Sequence, residues 1–194
     1  MIGKFIIVAV SLLLTACQST PETPPQLVIA PGLEMDLPAL AGPAKSFNAT
    51  QMVVGTWRDR KFSLETHIER RGASLNVIAL DTLGRRAMTI RWSNNNIKST
   101  MASWLPEKLT ADMMIAHMVL IYWPQQTLSA ALHHRGIVIE QDGQSRQFLR
   151  DGQIIISVEY ASDPEKAWNG KAQLVNSILD YRLTVQSNVL TEAD

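Results

Sequence analysis

The sequence contains a single cysteine, Cys17, among its 194 residues. A disulfide within the chain is therefore excluded, and the fold must be stabilised by its core. An excess of one charge is also missing, since 18 basic residues balance 18 acidic ones. The longest basic runs are the pairs Arg70-Arg71 and Arg85-Arg86. Because a nucleic-acid-binding surface needs a basic patch or stripe, we expect no nucleic-acid partner.

Long hydrophobic runs are missing as well. The stretch from Phe5 to Leu14 is apolar except for Ser11, and these ten residues are half of the roughly 20 that a membrane-spanning helix needs. Lys4 precedes this stretch, and Leu14-Thr15-Ala16-Cys17 follows it. A positive start, an apolar centre and small residues before a cysteine resemble the lipobox signal of bacterial lipoproteins. We predict a signal peptide over residues 1–16 and a covalent lipid on Cys17 that anchors the chain to a membrane.

Motifs for catalysis and for cofactor binding are also missing. The sequence has no phosphate-binding loop and no zinc signature. Ser129 lacks the flanking glycines of a nucleophile elbow, and His133 and His134 are adjacent, with no further ligands at the spacing that a metal site requires. We predict a protein that is not an enzyme and that holds neither a metal nor a cofactor other than the lipid on Cys17. An esterase that uses Ser129 or a histidine is the least favoured alternative.

Proline is concentrated near the N-terminus, where six of the nine prolines lie between residues 21 and 43. Proline removes backbone donors and favours extended conformations, so such segments act as spacers. We predict that 17–45 is a tether, of which Leu33 to Leu40 can still pack on the domain. The domain itself is predicted over 46–188, with a polar tail over 189–194.

From Phe47 onward the sequence alternates between apolar and polar residues. In residues 61–69, Phe62, Leu64, Thr66 and Ile68 share one face, as expected of a strand with one wet face. The pattern recurs up to residue 185, with glycine and asparagine turns between the segments. We therefore predict about ten antiparallel strands.

The alternation stops between Leu105 and Leu132. Thr110 can cap a helix whose residues 111–122 have almost no polar face, and a helix that is apolar all round is buried. A second short helix is predicted from Gln125 to Leu132. The prediction is a mainly β (α+β) fold, in which a curved sheet wraps around a helical insertion at about 108–132.

The helix carries one histidine and three methionines. His117 is either a hydrogen-bonded core residue or a ligand contact, and Met113, Met114 and Met118 either fill the core or line an adaptable cavity. Strand periodicity predicts which further side chains face the helix. The candidate cavity residues are Phe62, Leu64, Ile68, Met88, Ile90, Trp92, Met114, Met118, Ile121, Ile156 and Val158.

Several short motifs resemble the uncharacterised bacterial lipoproteins that are encoded with aryl polyene biosynthesis. They are Leu80 to Ile90 (LDTLGRRAMTI), Leu105-Pro106 before Ala111-Asp112-Met113, Tyr122-Trp123-Pro124, and Tyr181 to Val185 (YRLTV). That family in turn is similar to the lipoprotein localisation factors LolA and LolB. The resemblance implies a half-open antiparallel β-barrel, with the helical insertion on its concave face, that holds acyl chains.

The resemblance also bears on location and on activity. Gln18 follows the cysteine, where aspartate would retain an enterobacterial lipoprotein in the inner membrane, so an outer-membrane, periplasm-facing location is implied. LolB inserts an apolar loop into the membrane, whereas the turn from Asp81 to Arg86 offers only Leu83. A carrier of another amphiphile, such as an aryl polyene lipid, is therefore favoured over a lipoprotein transferase, although an acyl chain of a lipoprotein is also a possible ligand.

Two non-enzymatic functions are compatible with the sequence. A monomeric lipoprotein that binds a hydrophobic ligand is favoured. The alternative is an assembly factor with a filled interior, which would dock a periplasmic or outer-membrane protein by strand addition at an open sheet edge.

Overall fold

The computed structural model describes residues 25–40, 46–57, 60–93, 96–105 and 109–193. Within these ranges the chain forms twelve strands, two α-helices and two 3₁₀ turns, the latter at His133–Arg135 and Pro164–Asn169. In chain order the strands and helices are β1 (Gln26–Ala30), β2 (Leu33–Asp36), β3 (Ser46–Trp57), β4 (Arg60–Arg71), β5 (Ser74–Leu80), β6 (Arg86–Ser93), β7 (Asn96–Met101), α1 (Ala111–Tyr122), α2 (Gln125–Ala131), β8 (Ile137–Asp142), β9 (Ser145–Arg150), β10 (Gln153–Tyr160), β11 (Lys171–Asn176) and β12 (Tyr181–Ala193).

Ten of the strands form one antiparallel sheet in the order β7-β6-β5-β4-β3-β12-β11-β10-β9-β8. Every neighbouring pair is sequential except β3 and β12, which join the first half of the chain to the last. β7 and β8 are the two edge strands of the described sheet, and the helices connect them. The sheet is therefore open, and the predicted mainly β fold of ten antiparallel strands with a helical insertion is confirmed.

The alternating sequence determines which face of the sheet is buried. In β4, Leu64, Thr66 and Ile68 are buried while Glu65 and His67 are exposed. Gly55 in β3 lies directly under the ring of Phe62, and a Cβ atom added at Gly55 would overlap that ring. The close approach of the Phe62 ring to the backbone therefore explains why β3 has a glycine at position 55.

Helix α1 packs on the inner face of the sheet. Its N-terminus is capped by Thr110, whose side-chain oxygen accepts a hydrogen bond from the backbone N–H of Met113 at 3.2 Å. The hairpin of β1 and β2 packs along α1 and contributes Leu27, Ile29, Leu33 and Met35, each at most 1% exposed. Contact with both the sheet and the hairpin explains why α1 is apolar on all sides.

Part of the predicted tether, residues 17–45, forms the β1–β2 hairpin. The prediction is wrong for residues 25–32, because Pro25, Pro31 and Pro38 lie outside the two strands and leave both strands free to pair. Leu33, Met35 and Leu37 are buried, as expected of a segment that packs on the domain. Pro31 and Gly32 form the turn, where Gly32 has a φ of +72°. The rest of the predicted tether, the signal peptide and Cys17 fall in 1–24 and 41–45, outside the described residues.

The predicted polar tail is wrong for the described residues 189–193. β12 continues to Ala193 and pairs with β3 up to Ser46, with a register shift between Val189 and Thr191. A partner strand as long as β3 provides hydrogen bonds for this polar segment. The folded unit therefore extends beyond the predicted limits of 46–188 at both ends.

Removing a buried side chain tests whether the hairpin belongs to the core. Ile29 is 1% exposed and its neighbour Val28 is 46% exposed. We expect Ile29→Ala to lower the free energy of unfolding by about 2–5 kcal/mol, because it leaves a cavity against the core. Val28→Ala should change it by less than about 0.5 kcal/mol. Chemical denaturation of the full chain checks both values, and equal, negligible effects would show that the hairpin is a spacer.

Candidate apolar binding site

A small apolar cavity lies between α1 and strands β3, β4, β5, β6 and β12. Its volume is about 30 Å³, which is room for one or two water molecules and far below the roughly 300–1,000 Å³ of a small-molecule pocket. Helix α1 therefore leaves little free space between itself and these five strands. The lining side chains are Gln51, Val53, Thr66, Val77, Met88, Ile90, Met114, Ile115, His117, Met118, Ile121, Tyr122, Leu183 and Val185.

The structure places the eleven predicted cavity residues in three kinds of position. Met88, Ile90, Met114, Met118 and Ile121 line the cavity. Five others are buried in the core away from it, namely Leu64, Ile68, Trp92, Ile156 and Val158. Phe62 is half-buried over Gly55, and its ring stacks on that of Tyr181 with the centroids 6.3 Å apart.

A row of polar side chains runs along one wall of the cavity, in which the strand alternation predicts Thr66 to face inward but sequence reasoning missed Gln51 and Ser187. Thr66, Gln51 and Ser187 are paired across β4, β3 and β12 and point inward. Gln51 Nε2 donates to the hydroxyl of Tyr122 at 3.0 Å and to that of Ser187 at 3.3 Å. Thr66 Oγ1 donates to the backbone oxygen of Gln51 at 3.4 Å. These groups satisfy one another, so their burial beside the apolar wall is tolerated.

His117 differs from this row because no described residue hydrogen-bonds either of its ring nitrogens. The side chain is 1% exposed and stacks on Tyr181, with the centroids 4.9 Å apart and the planes 13° apart. Burial lowers the pKa of His117 to about 4, because the charged imidazolium is disfavoured away from water. The imidazole is therefore neutral at pH 7. His117 is a core residue, as predicted, but the predicted hydrogen bond is wrong within the described residues.

The C-terminal end of α1 is held by two polar side chains from the sheet. Arg146 in β9 is 4% exposed, and its Nη1 donates to the backbone oxygens of Leu120 at 2.9 Å and Trp123 at 3.0 Å. The hydroxyl of Tyr160 in β10 donates to the backbone oxygen of Ile121 at 2.7 Å. The guanidinium also lies 5.6 Å from the centroid of the Tyr160 ring. A cation at the carbonyl end of a helix complements the helix dipole and satisfies oxygens that would otherwise be unpaired.

The N-terminal turn of α1 is more exposed than the rest of the helix, although Ala111 is buried. Thr110 is exposed and supplies the side-chain cap, and Met113 and Met114 remain half-exposed. From Ile115 to Ile121, in contrast, every residue is buried. The half-exposed side chain of Met114 gives the cavity a rim at this end of the helix.

The residues that the sequence singled out for other chemistry lie away from this cavity. Among them, no group of three or more histidine, cysteine, aspartate or glutamate side chains is placed to hold a metal ion. Ser129 is exposed on α2, and His133 and His134 contact each other on the surface. No helix in this part of the chain is both long enough and apolar enough to cross a bilayer.

Loss of Arg146 tests how α1 is held. We expect Arg146→Met to lower the free energy of unfolding by about 2–4 kcal/mol, because it leaves buried carbonyl oxygens of α1 unpaired. Arg182 on β12 is exposed, so Arg182→Met removes the same charge at a cost of about 0.5 kcal/mol or less. Denaturant titration of both variants measures the difference. Equal stabilities would contradict the anchoring role of Arg146.

Comparison with known proteins identifies the family to which the chain belongs. Fifteen solved chains match this one. Among them is the crystal structure of a LolA superfamily protein from Nitrosomonas europaea, which is 9% identical, has a TM-score of 0.43, and is matched over 78% of this chain and 88% of that chain. No curated protein matches the sequence. The family model described as "Protein of unknown function (DUF3261)" matches residues 48–189, and the chain therefore belongs to this family.

Proposed function

We propose that this chain is a non-enzymatic lipoprotein that holds the apolar chain of an amphiphile between α1 and the sheet. The observation that carries the proposal is the apolar cavity between these two elements. Ten of its fourteen lining side chains are apolar and none is charged. Hydrocarbon chains need apolar volume and few directional bonds, whereas a sugar or a nucleotide would leave many polar groups unpaired there.

The small volume of the cavity implies that α1 moves when a ligand binds. A cavity of about 30 Å³ cannot accept a lipid chain, so a lipid chain can enter only if α1 moves away from the sheet. The half-exposed N-terminal turn is the part of α1 that can move, because Arg146 and Tyr160 fix the other end. Met114 and Met118 flank the cavity, and flexible, polarisable methionine side chains repack readily around an irregular apolar ligand.

The proposed anchor keeps the domain close to the lipid surface. Cys17 lies eight residues before Pro25, and eight residues span at most about 29 Å. With a lipid on Cys17 and glutamine at position 18, the site would face the periplasm from the outer membrane. A monomer in this position would meet amphiphiles in the membrane itself, including an aryl polyene lipid or the acyl chain of a lipoprotein.

The same structure supports one other function. The small volume between α1 and the sheet and the two edge strands of the described sheet, β7 and β8, suit an assembly factor that adds a strand from a partner protein. Polar, exposed side chains along β7 leave its backbone edge accessible. This alternative requires no movement of α1.

In-cell photocrosslinking tests the proposal. The full chain is expressed in bacteria supplied with a diazirine-bearing fatty acid, which enters the membrane lipids. After irradiation, adducts are mapped by mass spectrometry on the tryptic peptide 109–135, which contains all of α1. We expect this peptide to be labelled, and Met114→Trp to reduce the labelling at least fivefold by filling the rim of the cavity.

Met113→Trp is the matched control. Met113 is also half-exposed on α1 but does not line the cavity, so its labelling should stay within twofold of the wild type. Absence of lipid adducts on 109–135 would overturn the proposal. Adducts to a protein at β7 or β8, in the absence of lipid adducts, would instead support the assembly factor.

A further inference from the structure

Among the described residues that line the cavity, His117 is the side chain whose buried polar atoms have no hydrogen-bond partner, and the buried hydroxyl of Tyr181, outside the lining, also has none. Gln51, Thr66 and Tyr122 are engaged in the polar row, whereas both ring nitrogens of His117 are buried and have no hydrogen-bond partner among the described residues. A buried polar group without a partner costs about 1–3 kcal/mol. A ligand that hydrogen-bonds His117 would remove this cost.

The surroundings of His117 determine which hydrogen bond it can make. The ring stacks on Tyr181 in a nearly parallel arrangement, so the face of the imidazole is covered while its nitrogens point along the ring plane. A neutral imidazole has one N–H donor and one acceptor nitrogen. It can therefore pair with a hydroxyl, an amide or an ester oxygen without any transfer of charge.

Charged headgroups are excluded by the same surroundings. No lysine or arginine lines the cavity, so a carboxylate, sulfate or phosphate placed there would be buried without a counterion. Protonation of His117 would provide one, but burial opposes it at neutral pH. The cavity therefore discriminates by charge as well as by apolarity.

We propose that His117 is the polar recognition group of the site and that it selects amphiphiles with an uncharged hydroxyl, amide or ester next to the hydrocarbon chain. This inference rests on the proposed function and adds the headgroup class to it. The chain of such a ligand would lie along Met114, Met118 and Ile90, and its polar group would meet His117.

Three photoactivatable probes with the same diazirine-bearing alkyl chain test this selectivity. They end in a hydroxyl, in a permanently charged sulfate, or in a methyl group, and each is added to the full chain reconstituted in phospholipid nanodiscs. We expect the alcohol to label peptide 109–135 at least tenfold more than the sulfate. His117→Phe, which retains an aromatic ring for the stack on Tyr181, should reduce labelling by the alcohol to the level of the alkane.

A control variant and a measurement on the wild-type chain show whether a loss of labelling in His117→Phe is caused by misfolding. His67→Phe places the same change on the exposed face of β4 and should leave the selectivity unchanged. In the wild-type chain, the ¹⁵N resonances of the His117 ring should shift by several ppm with the alcohol and not with the alkane.

The labelling results distinguish a failure of the proposed role of His117 from a failure of the proposed lipid-binding function. Equal labelling of α1 by all three probes, unchanged by His117→Phe, would overturn the role of His117 and leave the apolar carrier intact. Stronger labelling by the sulfate would also overturn it. If no probe labels 109–135, the proposed function fails together with the inference.

Discussion

The structure depends on how the carbonyl end of α1 is satisfied. A helix that is apolar on every side gains by burial, but its last carbonyl oxygens cannot be buried unpaired. Arg146 and Tyr160 reach from β9 and β10 and donate to the backbone oxygens of Leu120, Ile121 and Trp123. Because these bonds pair the carbonyl oxygens, the C-terminal end of α1 can be buried against the open sheet instead of remaining exposed to solvent. The alternating strands, the covering hairpin and the cavity are all arranged around this buried helix.

Anchoring at one end gives α1 two unequal halves. The C-terminal half is fixed to the sheet, while the N-terminal turn has Thr110 as its cap and two half-exposed methionines. Local opening is easiest where few buried apolar contacts are lost. The cavity runs along α1 from Met114 to Tyr122, and its rim at Met114 lies in the N-terminal half. An apolar chain entering there would replace helix contacts with ligand contacts and leave the sheet unchanged.

Much of the fold was predictable from the sequence, because a side-chain period of two and a fully apolar helix are strong signals. The hairpin at 26–36 was missed, because the density of prolines obscured the two inward-facing apolar residues on each side of the turn, Leu27 and Ile29 before it and Leu33 and Met35 after it. Arg146 was missed for a different reason. An arginine next to a turn is usually solvated, and nothing local in its sequence indicates that it reaches helix carbonyls about 25 residues earlier.

The candidate site was only partly predictable. Periodicity identifies the inward face, so Met88 and Ile90 were expected near α1, but it does not tell which inward residues border free space. Trp92 faces inward too, yet it stacks on Trp123 with the centroids 5.6 Å apart and fills the core. The unsatisfied state of His117 depends on every neighbouring strand and requires the three-dimensional structure.

Hydrogen exchange of the α1 amides in the full chain tests the central claim most directly, namely that α1 is a lid anchored at its C-terminal end. We expect the amides of residues 115–118 to exchange by local opening, at a free energy several kcal/mol below that of the amides in β3 and β12. Residues 120–123, next to the carbonyls that Arg146 and Tyr160 bind, should exchange more slowly than 115–118. If all α1 amides exchange together with β3 and β12, the helix opens only when the whole domain unfolds, and the account of α1 as a lid is contradicted.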